Sequence, residues 1–371
     1  MRTNLCEQLG IEYPIVGFTP SEHVAAAISR AGGLGVLGCV RFNDAAELSG
    51  VLDWLEENTD GKPYGVDVVM PSTAPTEGSV GDLAGLVPQA HREFVDRTLT
   101  ALGVPPLPTS PESTPDGDGV LGWLHSVARA HVEVALAHRP RLIANALGSP
   151  PKDVIDRAHS QGIQVAALAG RVAHARRQVA DGVDIVVAQG YEAGGHTGEI
   201  ASMVLLPEVV DAVGAQVPVL AAGGIGCGRQ AAAALALGAA GVWMGSVWLV
   251  AEEYTLGGDG NTSVRQALLD ATSADTVRSR IYSGKPARLV KSRWTEAWAA
   301  PGAPEPLPMP LQNLLVDEAH RRIAAAADPK VVAMPVGQVV GRMNTVRPVA
   351  AILADVVRET DETLTALGRL I

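Results

Sequence analysis

Aromatic side chains are scarce in this 371-residue chain, which has six Trp, five Tyr and three Phe, and only three cysteines. Cys6, Cys39 and Cys227 form no CxxC pair, which argues against a disulfide framework or a thiolate metal site. Small and apolar, they read as core residues. No cluster of Lys and Arg interrupts a net charge of −11, so no nucleic-acid partner is expected. No stretch reaches the ~20 consecutive apolar residues that span a bilayer, and no membrane partner is expected either. Met1–Glu7 lacks the apolar core of a secretory signal. A cytoplasmic protein is the expectation.

What is abundant is Ala, Val and Gly, with 40 glycines. Short apolar runs bounded by Gly or Pro recur at Tyr13–Phe18, Leu34–Leu37, Tyr64–Met70, Leu142–Ala146, Gln164–Leu168, Asp184–Ala188, Val217–Ala221 and Gly241–Met244. Between most of them lie Ala-rich segments with helical spacing, at Glu22–Ala31, Asp44–Glu57, Lys152–Gln161, Arg171–Asp181, Leu205–Val213 and Gly228–Leu237. Strands alternating with helices pair in parallel, and eight such units close into an α/β TIM (β/α)8 barrel. An open doubly wound sheet is the architectural rival.

Two regions break the rhythm. An insertion at about 72–138 follows the third strand and holds helical stretches at Leu83–Leu102 and Leu121–His138, joined by a Pro/Ser/Asp-rich linker over Val104–Gly119. Connections this long are usually lids or binding loops; a lid over a bulky substrate and a homodimer interface both fit. Residues 1–250 are then the barrel with its insertion. Residues 251–371 read as a helical C-terminal extension packed on it, ending in an amphipathic helix from Val346 onward.

The most informative stretch is Tyr191-Glu192-Ala193-Gly194-Gly195-His196-Thr197-Gly198. It follows the sixth apolar run, so a histidine stands among glycines just past a strand's C-terminal end, where such barrels carry their chemistry. Glycines admit close backbone approach to a flat or anionic ligand. An imidazole there can exchange protons near neutral pH. The seventh run ends in Ala221-Ala222-Gly223-Gly224-Ile225-Gly226, ahead of a helix opening at Cys227-Gly228-Arg229, and the eighth ends in Met244-Gly245-Ser246. Loops after these two strands commonly form a phosphate site, assisted by a helix N-terminus. Gly223, Gly224 and Gly226 would offer N–H groups, and Gly245 and Ser246 an amide and a hydroxyl. Ala31-Gly32-Gly33-Leu34-Gly35 reads instead as a helix C-cap followed by close packing.

These segments, with Ser283-Gly284-Lys285-Pro286-Ala287-Arg288, resemble the nitronate monooxygenase (2-nitropropane dioxygenase-like) family of FMN-dependent TIM barrels, whose relatives include flavin-dependent enoyl-ACP reductases and NAD(P)H:quinone reductases. The resemblance implies FMN as cofactor. It sets Gln189, Gly194 and Gly195 against the flavin and Gly223, Gly224, Gly245 and Ser246 at its phosphate. It also implies that Gly17 and Asp67 contact the cofactor, and that His196 faces the substrate as proton-transfer residue or polar anchor. Two departures stand out. Gly17-Phe18-Thr19-Pro20 replaces the family's Pro-Met pair, and Asp67 stands where a relative often has Asn.

The implied activity is oxidation of alkyl nitronates by molecular oxygen. The alternative is an NAD(P)H-dependent enoyl thioester or quinone reductase, and a non-enzymatic FMN-binding module is a third reading. The partner in each case is a small molecule, with a bulky or thioester-linked one favoured by the insertion. Lys285, Arg288, Lys291 and Arg293 read first as solvated surface charge, and second as a group that recognises phosphate or an acyl carrier.

Overall fold

The computed structural model describes residues 1–70, 83, 85–107 and 125–370. The linker expected over Val104–Gly119 lies mostly outside the described residues, as does the start of the helix expected from Leu121.

In chain order the strands of the first two-thirds are β1 (Ile15–Thr19), β2 (Leu34–Gly38), β3 (Tyr64–Asp67), β4 (Leu142–Asn145), β5 (Gln164–Ala169), β6 (Ile185–Gln189), β7 (Gly195–His196), β8 (Val219–Ala222) and β9 (Gly241–Met244). All but β7 pair in parallel, in sequence order, and β9 closes on β1. The eight expected apolar runs are the eight barrel strands. Being covered on both faces, they are apolar on both, as parallel strands must be.

Alternation along each strand separates an inner from an outer layer. Val16, Val36, Leu142, Ala144, Ala166, Val187, Leu220, Ala222 and Trp243 pack together inside the barrel. Helix α1 (Asn4–Leu9) seals one end of this core with Leu5, Cys6 and Leu9, and stops at Gly10, whose φ of +71° suits a residue without Cβ. Each such buried Leu or Val contributes roughly 1.5–3 kcal/mol.

The shell contains α2 (Glu22–Arg30), capped by Ser21, and α3 (Ala45–Asn58), capped by Asp44. A Cβ on Gly35 would lie 2.0 Å from the Ala25 carbonyl oxygen, so this glycine lets α2 settle directly on β2. Between β3 and β4 the chain forms α4 (Gln89–Ala101) and α5 (His125–His138). Helix α5 packs on α3 through Ala128, Val132, Ala135 and Leu136, so it is the barrel's own shell helix rather than part of an insertion. The shell continues with α6 (Lys152–Ser160), α7 (Val172–Asp181), α8 (Ser202–Val213) and α9 (Gly228–Ala236).

Residues beyond the barrel comprise α10 (Gly258–Asp270), β10 (Thr276–Ser279), β11 (Ala287–Val290), α11 (Arg293–Ala299), α12 (Leu311–Ala326) and α13 (Val349–Gly368). The extension is mainly helical and also carries two unexpected strands: β10 and β11 form an antiparallel pair, and β11 pairs in turn with β7. Four-residue strands are too short to carry a period that sequence alone reveals. Helix α4 docks on this region, with Phe94 edge-on to Trp298 at 4.9 Å and Arg322 donating to the Val104 and Pro105 carbonyls. Among the described residues, no helix is long and apolar enough to cross a membrane.

Candidate active site

Strand register decides which side chains reach the barrel mouth. Gly38 pairs with Asp67 and Asp67 with Ala144, an inward residue, so Asp67 points into the barrel at its C-terminal end. Gln189 pairs with inward Ala222 and shares that phase. Phe18 packs on the same interior beside Trp243, their ring centroids 6.3 Å apart. Gly17 therefore faces the other way. A Cβ there would lie 2.5 Å from Ile28 Cδ1 and 2.9 Å from Trp248 Nε1, so the glycine serves packing against the helical layer. Of the first strand's end, it is Phe18 that projects into the mouth.

Asp67 is 4 % exposed, and its Oδ1 has no hydrogen-bond partner among the described residues. Asp67 is therefore not a solvated acid at a strand end. Burial raises its pKa to about 7, against the lowering effect of the Ala146 N–H.

His196 sits on β7, held by β11 through the pairing of Ala287 with His196 and Arg288 with Gly195. Its Nε2 lies 2.6 Å from Ser283 Oγ. Ser283 is fully buried in the turn before β11, where its Oγ accepts from the Lys285 N–H at 3.3 Å. The hydroxyl proton is better placed on His196 at 2.6 Å than on the Lys285 carbonyl at 3.5 Å. Gly284 makes the turn feasible. Its φ is +87°, and a Cβ would lie 2.4 Å from the Leu307 carbonyl oxygen. Burial, reinforced by the Lys285 ammonium, pushes the His196 pKa down to about 4. The imidazole is neutral at physiological pH.

The basic group divides. Lys285 is exposed beside His196, whereas Arg288 is only 3 % exposed, which corrects its reading as surface charge. Its guanidinium donates to the Tyr191 carbonyl at 3.0 and 3.2 Å and to Thr276 Oγ1 at 3.0 Å, pinning the loop that precedes His196.

The glycine loops interlock. Glu192 accepts from the N–H and hydroxyl of Ser202 at 3.0 Å each, which ties the loop to the first turn of α8. Ala193 lies where a Cβ on Gly223 would come, at 3.0 Å. Gly194 does not open toward a ligand: a Cβ there would lie 2.7 Å from the Gly337 nitrogen and 2.7 Å from the Val336 carbonyl carbon. Gly337 in turn donates its N–H to Ser246 Oγ at 2.8 Å, and Gln338 donates to the Glu192 carbonyl at 2.9 Å. The segment 336–338 thus ties the His196 loop to the Gly245-Ser246 turn. No local motif in the sequence signals it.

One expected phosphate donor, the Gly226 N–H, is already engaged by Gln230 Oε1 at 2.8 Å, and so is the helix N-terminus expected to assist it. The Gly228 N–H at the start of α9 donates to Glu359 Oε2 at 2.7 Å, and Arg229 Nε to Glu359 Oε1 at 2.9 Å. This carboxylate, carried by α13, occupies the positive end of that helix. What remains open is the backbone of the turns. Among the described residues, a Cβ on Gly224, at φ +72°, would meet no atom nearer than 3.9 Å; one on Gly195, at φ +71°, would meet none within 4 Å; and one on Gly245 would meet Phe18 at 3.8 Å. A cradle with room at three glycines, the Ser246 hydroxyl and an unpartnered Asp67 oxygen fits a flat, phosphate-bearing cofactor.

Comparison with known proteins gives the family. Residues 2–359 match the family model "Nitronate monooxygenase". "Putative monooxygenase Rv1533" of Mycobacterium tuberculosis is 48 % identical, and the alignment covers all of both chains. Among solved structures, nitroalkane oxidase from Streptomyces ansochromogenes superposes with a TM-score of 0.78 at 29 % identity, covering 98 % of this chain and 99 % of that one. FabK from Thermotoga maritima gives a TM-score of 0.74 at 26 % identity, covering all of both chains.

Proposed function

This chain belongs to the nitronate monooxygenase family, whose members are flavin-dependent oxidoreductases, and from that premise we propose that it binds FMN and oxidises alkyl nitronates with molecular oxygen. Gly223, Gly224, Gly245 and Ser246 would hold the phosphate, and Gln189, Gly195 and Asp67 would line the ring. When bound, the flavin would supply the redox chemistry between a carbanionic substrate and molecular oxygen.

The observation that carries this reading is the state of His196. A half-buried imidazole with its pKa near 4 is a weak base for removing a proton from carbon. A nitronate has already lost that proton. What it needs is a polar anchor and compensation of its charge, and His196 with exposed Lys285 beside it provides both. Ser283 fixes the ring so that this contact is made without reorganisation.

The FabK likeness keeps one other reading in play, an NAD(P)H-dependent reductase of an enoyl thioester or quinone. The discriminating experiment compares oxygen uptake with propyl-2-nitronate against NAD(P)H oxidation with an enoyl thioester and a quinone, on FMN-loaded protein. Fast oxygen uptake with the nitronate and negligible NAD(P)H consumption is the expected result. The converse would establish the reductase.

A further inference from the structure

Within the flavin reading just given, we propose that Asp67 meets the bound ring as a neutral carboxylic acid, so that cofactor binding takes up one proton from solvent.

The geometry comes first. Asp67 closes β3 on the inward phase, between Gly38 and Ala144, which contribute no polar side-chain atom. The Phe18 ring stands over Gly38, where a Cβ would touch its Cε2 and Cζ at 3.0 Å. The carboxyl is thus 4 % exposed with Oδ1 unpartnered among the described residues, its two strand neighbours offering no side-chain donor, and the Ala146 N–H alone favours its charged form. No ion pair to Asp67 is found among the described residues.

Among the described residues the titratable neighbours do not supply a countercharge. Cys39, just after β2, is a buried thiol whose pKa burial and the Asp67 charge both raise. Arg41 beyond it is committed to Glu22 at 2.6 Å and to the Pro20 carbonyl at 2.9 Å. His131 on α5 is held neutral by burial, and His196 is neutral as well.

An aromatic ring laid across the mouth removes what water still reaches this carboxyl. Desolvation penalises the charged form, and a fixed carbonyl or imine acceptor on the ring rewards the protonated one. Both effects move the proton onto Asp67. An amide at this position would make a similar contact at any pH. The acid ties the contact to proton concentration.

The test is calorimetric titration of FMN into apoprotein at pH 8.0, in buffers of different ionisation enthalpy, which counts protons exchanged. The wild type should take up close to one proton and Asp67→Asn none. FMN affinity should weaken about ten-fold between pH 7.5 and 8.5 in the wild type and stay flat in the variant. Riboflavin, which lacks the phosphate, should show the same uptake on wild-type protein, and this holds the test open should Asp67→Asn fail to fold. Binding of FMN with no proton exchanged, with proton release, or with equal uptake in a folded Asp67→Asn would overturn the proposal and leave the flavin reading standing. Absence of FMN binding at every pH would overturn both.

Discussion

Ser283 Oγ and His196 Nε2 stand 2.6 Å apart, joining two residues 87 positions apart in the chain. The bond links the glycine-rich loop after β6 to the extension beyond the barrel, so the candidate catalytic ring is oriented by a segment outside the (β/α)8 unit. A neutral imidazole held by a buried hydroxyl acts as a fixed dipole, and its protonation state belongs to this environment.

A pH profile tests that claim. With its pKa near 4, His196 should give kcat/KM no inflection at pH 6–7, and its acid limb should fall near pH 4. His196→Ala should lower turnover about 100-fold with FMN retained. Ser283→Ala should cost about ten-fold and move the acid limb, because the ring loses its fixed partner. An unchanged profile in Ser283→Ala would remove the orienting role.

Asp67 makes a separate prediction for the apoprotein. Its folded pKa of about 7 exceeds the unfolded value of 3.8, so the folded state binds more protons between these limits. Stability should fall as pH rises from 4 to 7, and the loss should be complete above pH 7. Asp67→Asn removes the penalty and should be more stable at pH 8, by about 4 kcal/mol at most. Denaturant unfolding at pH 5 and pH 8 checks this: the advantage of the variant should shrink toward the lower pH.

The phosphate cradle is tested by filling it. Gly224→Val and Gly245→Val project side chains into the room left at those turns, the first also at a strained positive φ. FMN affinity should drop at least ten-fold in each, with about 1–3 kcal/mol of backbone strain added for Gly224→Val. Normal affinity in both folded variants would place the phosphate elsewhere.

The barrel is legible in the sequence because its strands are apolar runs cut by glycine, and because the helices between them keep a helical spacing. His196 is legible because one titratable side chain stands among glycines at a strand end. Side-chain phase is harder. Gly17 has the position of a cofactor contact along the chain, but Val16 and Phe18 share the inward phase and Gly17 does not. Ser283, Gly337 and Glu359 act through contacts that span from 87 to 131 positions of sequence, and no local period encodes those. β10 and β11 escape for a different reason: each is only four residues long, and β11 is buried along its whole length, so no alternation is written into the sequence there.

Gly194 and Gly337 carry the last prediction. Each lies where the other's Cβ would be: the Gly194 position is blocked by Gly337 N at 2.7 Å, and the Gly337 position by the Glu192 carbonyl oxygen at 2.8 Å and Gly194 N at 3.1 Å. A methyl group on either must push two backbones apart. Gly337→Ala should therefore separate the Gly337 N–H from Ser246 Oγ and lift the loop bearing His196 together with the phosphate turn. The expected cost is about 1–3 kcal/mol of stability, with weaker FMN binding and slower turnover appearing together. Ser246→Ala removes the same hydrogen bond without the steric push and should weaken FMN binding with little effect on folding. If Gly337→Ala melted and bound FMN like the wild type, the interlock would have no part in shaping the site.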